Sequence, residues 1–538
     1  MEATAWIPMV EDLVQATWRR CRAPGVAVAV TDREGVRHTS FAGWANADAR
    51  IPVGPATLFE CGSIGKAFTA VLVLQLAGEG RLHLHAPVSD YLPWFRVQNR
   101  WGPITLHHLL SHSAGIIGGT DVAPDARFEV WALRDTAVAW EPGSAFHYSN
   151  VGYKAIGLVL ERVAGQPYAQ LVRERVLAPL GMRHTAAAIT HGLRRDLAVG
   201  YEPLCDDEPL HAGNPLAVAP WIEADTADGC LSAPIDDLAA FARLLLNRGR
   251  TPEAVVLAPS WFRQLIRPVV SVDAWRDYAY GLFLVAAGGR EWVSHSGGML
   301  GYRAGLTADL SAGIGAVAMA NGPFPAEELT QYVVGMIGGQ PSPPRAAWAV
   351  GPAGAAEDWS ALAGTYRSED SQGGRVEVVW SGSHFVLRGT GGETARLDAA
   401  EDGRWVSDHP RWRRFAIRLA LADEGEAVLI HGDRQWRRRA TPPEPTPVPE
   451  EWKAYTGHYR GYNPWSPTFR VGIRGGKLYL LWPGGAEYQL VPIAGTAGHF
   501  RCTDGKPLPE AIEFDTVVDG QAWRAMLSGS PFFRFFTP

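Results

Sequence analysis

Ser63 and Lys66 stand three residues apart in Ser63-Ile64-Gly65-Lys66, between an apolar lead-in from Ala56 to Cys61 and an apolar run from Ala67 to Ala77. A serine hydroxyl becomes a useful nucleophile beside a base. A lysine among apolar groups can serve as that base, because desolvation disfavours its charged form. At a spacing of three on one helix, both side chains share a face. Only five lysines occur among the 50 basic residues, so an ammonium kept at this apolar position by a chain that otherwise uses arginine points to chemistry. The amides of a helix start carry the positive end of its dipole, so the Ser63 N–H is placed to stabilise an oxyanion. Alone, a four-residue pattern arises readily by chance.

Two further motifs add weight. Trp140-Glu141-Pro142-Gly143 leads into Tyr148-Ser149-Asn150, and Trp292-Val293 leads into His295-Ser296-Gly297-Gly298. In this order the three resemble the signatures of the serine β-lactamases and penicillin-binding proteins, in which S-x-x-K is joined by a second polar triad and a K-T-G-type strand. The tyrosine and histidine forms are similar to the class C, esterase and D-aminopeptidase branch. The resemblance extends through Ile104 to Gly115, Asn150 to Tyr153, Pro179 to Met182, Gly229 to Leu238 and Tyr280 to Leu282, covering roughly residues 25 to 325.

The resemblance implies roles residue by residue. Ser63 attacks a carbonyl and becomes acylated, while Lys66 and Tyr148 share the proton traffic, either being the base. Asn150 holds a substrate amide or orients Lys66. The amides of Ser63 and Gly298, with Gly297 beside them, form the oxyanion hole. His295 stands where true β-lactamases commonly have lysine. A mostly neutral imidazole holds a carboxylate less strongly than a permanent cation, so efficient β-lactam turnover is not expected. The H-x-G form is similar to the family's esterases, D-aminopeptidases, D-stereospecific peptidases and peptide-cyclising thioesterases.

Other chemistries find little support. The chain has no G-x-S-x-G elbow, no H-E-x-x-H and no P-loop. His83, His85, His107, His108 and His112 are read as surface or capping residues in preference to metal ligands, so no metal and no cofactor are expected.

The elements that position these residues follow from pattern. Ala67 to Ala77, Ile104 to His112, Val151 to Ala164 and Asp236 to Asn247 read as helices, and Val26 to Thr31 and Gly313 to Ala320 as buried strands. Strands at both ends with helices between predict an α/β (α+β) unit: a serine β-lactamase-like catalytic domain, by the resemblance, with an antiparallel sheet flanked by helices. Two proline-rich stretches, Gln340 to Pro352 and Thr441 to Pro449, read as linkers. The expected domains are therefore 1–340, 357–440 and 450–538. The last two open alike, with Ala363-Gly364-Thr365-Tyr366-Arg367 and Thr456-Gly457-His458-Tyr459-Arg460, and continue in period-two alternation. Phe469, Val471 and Ile473 alternate with Arg470, Gly472 and Arg474 before Gly475-Gly476 turns the chain into Lys477 to Leu481, a hairpin signal. Two small antiparallel β-barrels of lipocalin-like form are expected.

Composition narrows the partners. A net charge of -6 with 46% hydrophobic residues describes a globular chain without a polyanionic partner. The basic stretch Arg411 to Arg439 is broken by Asp423, Glu424, Glu426 and Asp433, which argues against nucleic acid. No run of about 18 apolar residues predicts a membrane span. Five scattered cysteines without a C-x-x-C pair and an acidic N-terminus without a leader pattern suit a cytoplasmic protein. The expected partner is a small molecule or short peptide, with an oligomer allowed.

In the similar family a bacterial D-aminopeptidase carries two barrels after its catalytic domain, one of which sends a loop into the cleft. That implies a serine hydrolase working through an acyl-enzyme on small peptide or amide substrates, of D-aminopeptidase or D-stereospecific peptidase type. Candidate loops are Tyr462 to Thr468 and Pro483 to Glu487, with Glu487 or Asp504 as an acid for a free amino terminus. The alternatives are a carboxylesterase or acyl transferase, including a peptide thioesterase or cyclase, and a non-catalytic penicillin-recognising protein.

Overall fold

The computed structural model describes residues 5–119, 125–211, 214–287, 289–341, 343, 359–368, 374–400, 403–421, 426–438 and 447–536. Most of the first proline-rich stretch and residues 441–446 of the second lie outside them. The chain divides into two compact units, Met1–Glu202 with Ala217–Gly351, and Pro203–Leu216 with Pro352–Pro538.

The first unit is built on a nine-stranded antiparallel sheet. Its order is Ile51–Pro52, Val36–Asn46, Gly25–Asp32, Ile314–Ala320, Tyr302–Asp309, Arg290–Met299, Phe283–Ala287, Arg276–Tyr278 and Val270–Ser271. The early strand Gly25–Asp32 pairs with the late strand Ile314–Ala320, Val26 opposite Ala320 and Asp32 opposite Ile314. Both strands are almost continuously apolar, because both faces of the central sheet are covered. Val26, Val28 and Val30 meet Val10 and Val14 of helix Ile7–Cys21 and Leu329 and Val333 of helix Ala326–Gly338. Alternation sends Ala27, Ala29, Val317 and Met319 to the opposite face, where helix Ile235–Leu246 packs.

Helix Gly65–Gly78 is buried on every side from Gly65 to Leu74, as its largely apolar sequence requires. Phe68 stacks on Phe241 of helix Ile235–Leu246 with ring centroids 3.7 Å apart. The expected helix from Ile104 to His112 is shorter, Leu106–Leu110. Thr105 caps its start in a reciprocal pair with His108, and His112 leaves it at φ 55°, which no helix continues. Among the described residues no helix is long and apolar enough to cross a membrane.

The second unit holds two closed eight-stranded antiparallel barrels, from Gly364–Ser368 to Arg434–Arg437 and from Gly457–Arg460 to Ser530–Arg534. Their shared opening is a shared device. Gly364 and Gly457 have φ 146° and 148°, a region favouring glycine. Tyr366 Oη donates to Leu362 O at 2.5 Å, and Tyr459 Oη to Tyr455 O at 2.8 Å. Tyr366, Phe385, Trp405, Trp412 and Trp436 fill the first interior, and Tyr459, Phe469, Phe500, Phe514 and Phe532 the second, so each barrel encloses a packed core. The Gly475-Gly476 turn has φ 55° and 74°, the two positive values a tight hairpin demands.

Segment Pro203–Leu216 belongs to this unit through ion pairs of Asp206 with Arg460 (2.6 Å) and Glu208 with Arg413 (2.9 Å). Buried Arg474 of the second barrel donates to Gly432 O of the first (2.7 Å) and to both carboxylate oxygens of Glu487 (2.9 Å each). Arg418 of the first barrel also reaches Glu487, at 3.0 Å. Glu487 is thus committed to arginines and is not the unpaired acid expected for a substrate ammonium. Glu487→Ala leaves Arg474 without its carboxylate and should lower the stability of this unit by about 2 to 3 kcal/mol in urea unfolding, whereas Arg418→Ala, at an exposed position, should cost less than about 1 kcal/mol.

Candidate functional site

Ser63 lies in a 3-10 turn, Gly62–Ile64, that runs directly into helix Gly65–Gly78. Its lead-in is pinned twice: Phe59–Glu60 pairs with Ser232–Ala233, and Cys61 N donates to Leu231 O at 2.8 Å. Burial pushes the carboxyl of Glu60 up to about 8. Ser63 is partly open, while Lys66 is 0% exposed.

Lys66 Nζ lies 3.0 Å from Ser63 Oγ, 2.8 Å from Asn150 Oδ1 and 2.6 Å from Asp228 O. Two of these acceptors are carbonyls and cannot donate, so two N–H groups are always spent on them. The third position of the nitrogen faces Ser63 in either protonation state. As an ammonium it donates there; as an amine it offers its lone pair to the serine proton. The geometry therefore directs proton exchange along the Ser63–Lys66 axis.

The second motif ends a loop and begins helix Asn150–Ala164. Ser149 is the N-cap: its Oγ accepts from Gly152 N at 3.1 Å and donates to Ile117 O at 2.7 Å. Asn150 follows as the first helical residue, which aims its amide at Lys66. Tyr148 precedes the cap, its ring centroid 4.8 Å from Lys66 Nζ. Its hydroxyl is buried and has no hydrogen-bond partner among the described residues.

The third motif lies on strand Arg290–Met299. His295 is buried, its Nδ1 donating to Ser296 O at 2.6 Å and its Nε2 lying 3.2 Å from Tyr278 Oη. Burial, opposed by the Ser296 carbonyl and helped by Lys66, brings its pKa down to about 3. Its ring is 6.3 Å from that of Tyr148. His295 is thus near the centre but uncharged, with both nitrogens engaged.

Close backbone approach explains the glycines. A Cβ on Gly297 would sit 1.9 Å from Cys61 O, and one on Gly62, at φ 52°, would meet Gly298 N at 2.6 Å. A Cβ on Gly229 would meet Gly62 C at 2.7 Å and Ser63 N at 3.1 Å, and one on Gly281 would meet Lys66 O at 2.6 Å. Four glycines from separate segments let the Ser63 turn, the strand and the Asp228 loop converge.

The structure places Ser63, Lys66, Tyr148, Asn150, Gly297 and Gly298 in one cluster. Sequence reasoning missed Asp228, which acts through its main-chain carbonyl and so leaves no side-chain signal. It also missed the packing roles of Gly62 and Gly229, although both flank recognised stretches. Of the histidines, His108 is a capping residue, and His107 Nδ1 lies 2.7 Å from Tyr280 Oη. Burial lowers the pKa of His107 to about 4. His112 is not at the surface: it is 1% exposed and packs against the Tyr148 ring. A separate cavity of about 530 Å³, lined by Leu92, Trp94, Phe128, Trp131 and Leu158 among others, shares no lining residue with this cluster.

Two outcomes follow from this geometry. Gly229→Ala should displace the Ser63 turn, costing about 1 to 3 kcal/mol of stability and most of the Ser63 reactivity toward a fluorophosphonate. An unfolded imidazole protonates near 6.5, whereas folded His295 stays neutral to about 3. The unfolded state therefore binds more protons between about 3 and 6.5, and stability falls as pH is lowered through that window. His295→Gln should remove about 2 kcal/mol of the stability difference between pH 7 and about pH 5, read by chemical denaturation.

Comparison with known proteins agrees with this architecture. Protein flp of Staphylococcus aureus strain MW2 is 28% identical over 250 residues, 44% of this chain and 48% of the relative, so the match spans about half the length of that protein. Penicillin-binding protein 4 of Amycolatopsis lactamdurans is 28% identical over 335 residues, 59% of this chain and 85% of the relative. Among solved structures, the octameric penicillin-binding protein homologue from Pyrococcus abyssi superposes with a TM-score of 0.60 at 22% identity, covering 80% of this chain and 99% of its own. A D-stereospecific amidohydrolase from Streptomyces sp. superposes at 0.51 with 23% identity, covering 61% and 97%. EstCE1, a hydrolase with promiscuous acyltransferase activity, does so at 0.51 with 21% identity, covering 59% and 94%. The sequence profile of the β-lactamase family matches residues 10–333, which hold every residue of the Ser63 cluster, and the chain belongs to that family.

Proposed function

We propose that the protein is a serine hydrolase that acts through a Ser63 acyl-enzyme on small peptide or amide substrates, of the D-aminopeptidase or D-stereospecific peptidase type. The observation that carries this reading is the Lys66 amino group held between two carbonyls and Ser63 Oγ. In the first step Ser63 Oγ bonds to the substrate carbonyl carbon while its proton passes to Lys66 Nζ. The amides of Ser63 and Gly298 receive the oxyanion. The C–N bond then breaks, and the leaving amine takes a proton from Lys66, directly or through Tyr148. Water attacks the ester, with the proton moving in the reverse sense, and frees Ser63. Lys66 is the base in this scheme because it alone of the pair touches Oγ. Asn150 orients it. His295 shapes the strand and supplies no charge.

The uncharged His295 supports a substrate other than a β-lactam carboxylate, since it provides no fixed cation. The likeness to a D-stereospecific amidohydrolase favours amides, and that to EstCE1 supports a second reading, ester hydrolysis or acyl transfer, in which an amine or alcohol replaces water. In this proposal residues 1–340 carry the chemistry, with the barrels expected over 357–440 and 450–538.

Ser63→Ala should abolish fluorophosphonate labelling and hydrolysis of D-aminoacyl amides, and Lys66→Ala should slow acylation roughly 10²- to 10⁴-fold. Equal rates on D- and L-aminoacyl amides would defeat the stereospecific proposal, and a folded protein unlabelled at Ser63 would defeat the enzyme reading altogether. Acyl transfer to an added amine at the expense of hydrolysis would favour the second reading.

A further inference from the structure

His112, in the family-like segment 104–115, has no part in the scheme above. It is 1% exposed and holds φ 55°, a left-handed conformation that costs a non-glycine residue about 1 kcal/mol or more. A turn needing only that conformation would be met by glycine or asparagine. The imidazole must therefore contribute something those residues do not.

Its contacts converge on Tyr148. The His112 carbonyl accepts from His147 N at 2.8 Å, and its Nδ1 accepts from Ser149 N at 3.0 Å. The two hydrogen bonds bracket residue 148 and fix its main chain on both sides. The imidazole also lies against the Tyr148 ring, centroids 4.1 Å apart and planes 38° from parallel. Tyr278, Tyr153 and Phe146 surround it at 4.9, 5.0 and 5.9 Å. Because Nδ1 accepts, the ring proton is on Nε2. Burial, with Lys66 and His295 nearby, holds the ring pKa well below its ordinary value and so keeps the ring uncharged.

Lys66 Nζ lies 4.8 Å from the same Tyr148 ring centroid. The phenol is thus held from its main chain, from the imidazole and from the lysine, although its hydroxyl has no hydrogen-bond partner among the described residues. We propose that His112 is a positioning residue for acylation, setting the Tyr148 phenol beside Lys66 by gripping the main chain on either side of it and packing against its ring. This rests on the acyl-enzyme reading above. Misplacing a reacting group by about 1 Å costs roughly a hundredfold in rate, which sets the expected scale.

The test uses the full chain and a short p-nitrophenyl ester, with kcat normalised to the Ser63 sites that a fluorophosphonate titrates at completion. His112→Asn tolerates the positive φ and can accept from Ser149 N, but loses the ring. It should fold and lower kcat roughly tenfold. His112→Ala loses both ring and acceptor and should lower kcat roughly a hundredfold. KM should stay within about threefold in each, since His112 acts through Tyr148 and does not touch substrate. Should His112→Ala fail to fold, His112→Asn alone decides. Wild-type kcat per titrated site in a folded variant, or a loss confined to KM, would overturn the positioning role while leaving Ser63 catalysis standing. Absence of Ser63 labelling in the wild type would instead remove the acyl-enzyme reading, and the proposal with it.

Discussion

The constraint on which the catalytic unit depends is the complete burial of the Lys66 amino group. Removing an ammonium from water costs several kcal/mol unless its donors are satisfied. Here three oxygens do so, from Ser63, Asn150 and Asp228, residues 84 and 162 positions from Lys66 in two cases. A helix start, a second helix start and a loop must therefore meet at one nitrogen. The same arrangement that satisfies the buried nitrogen leaves one of its positions facing the serine.

The surrounding fold can be read as what that meeting requires. The Ser63 turn is held by the short pair of Phe59–Glu60 with Ser232–Ala233, and strand Arg290–Met299 presses on it through Gly297 and Gly298. Glycines at 62, 229, 281 and 297 remove the side chains that would hold these segments apart. The apolar helix behind Ser63 is anchored by the stacking of Phe68 on Phe241, so Ser63 is carried at the start of a rigid element. Around Tyr148, aromatic and imidazole rings pack together and its hydroxyl is buried.

The barrels obey a separate logic. Closure removes their edges, and their interiors are packed with aromatic side chains, so any contribution to recognition comes from loops and outer faces. The repeated Gly-x-Tyr-Arg opening is physical in origin. In each copy a glycine takes a φ near 147° and a tyrosine hydroxyl reaches the carbonyl four residues earlier. Glu487 illustrates how a charged residue at a strand start can be committed to two arginines of the barrels themselves.

Local pattern by itself determined a good deal. The buried strands near 26–31 and 313–320, the apolar helix after Ser63, the hairpin at Gly475-Gly476 and the two-barrel repeat were all legible, because period, apolar run and turn chemistry are properties of adjacent residues. The Ser63, Lys66, Tyr148 and Asn150 set was picked out because three ordered motifs together resemble those of a known family, each being weak by itself. Helix Leu106–Leu110 was overestimated because its end depends on His112 adopting a left-handed conformation for the sake of distant contacts. The departure of Pro203–Leu216 to the barrel unit depends on ion pairs with residues more than 200 positions away. The Asp228 carbonyl, the fate of Glu487 and the neutral, tethered state of His295 were likewise decided only by tertiary structure. A main-chain acceptor has no sequence signature, and charge and burial depend on which groups the fold brings together.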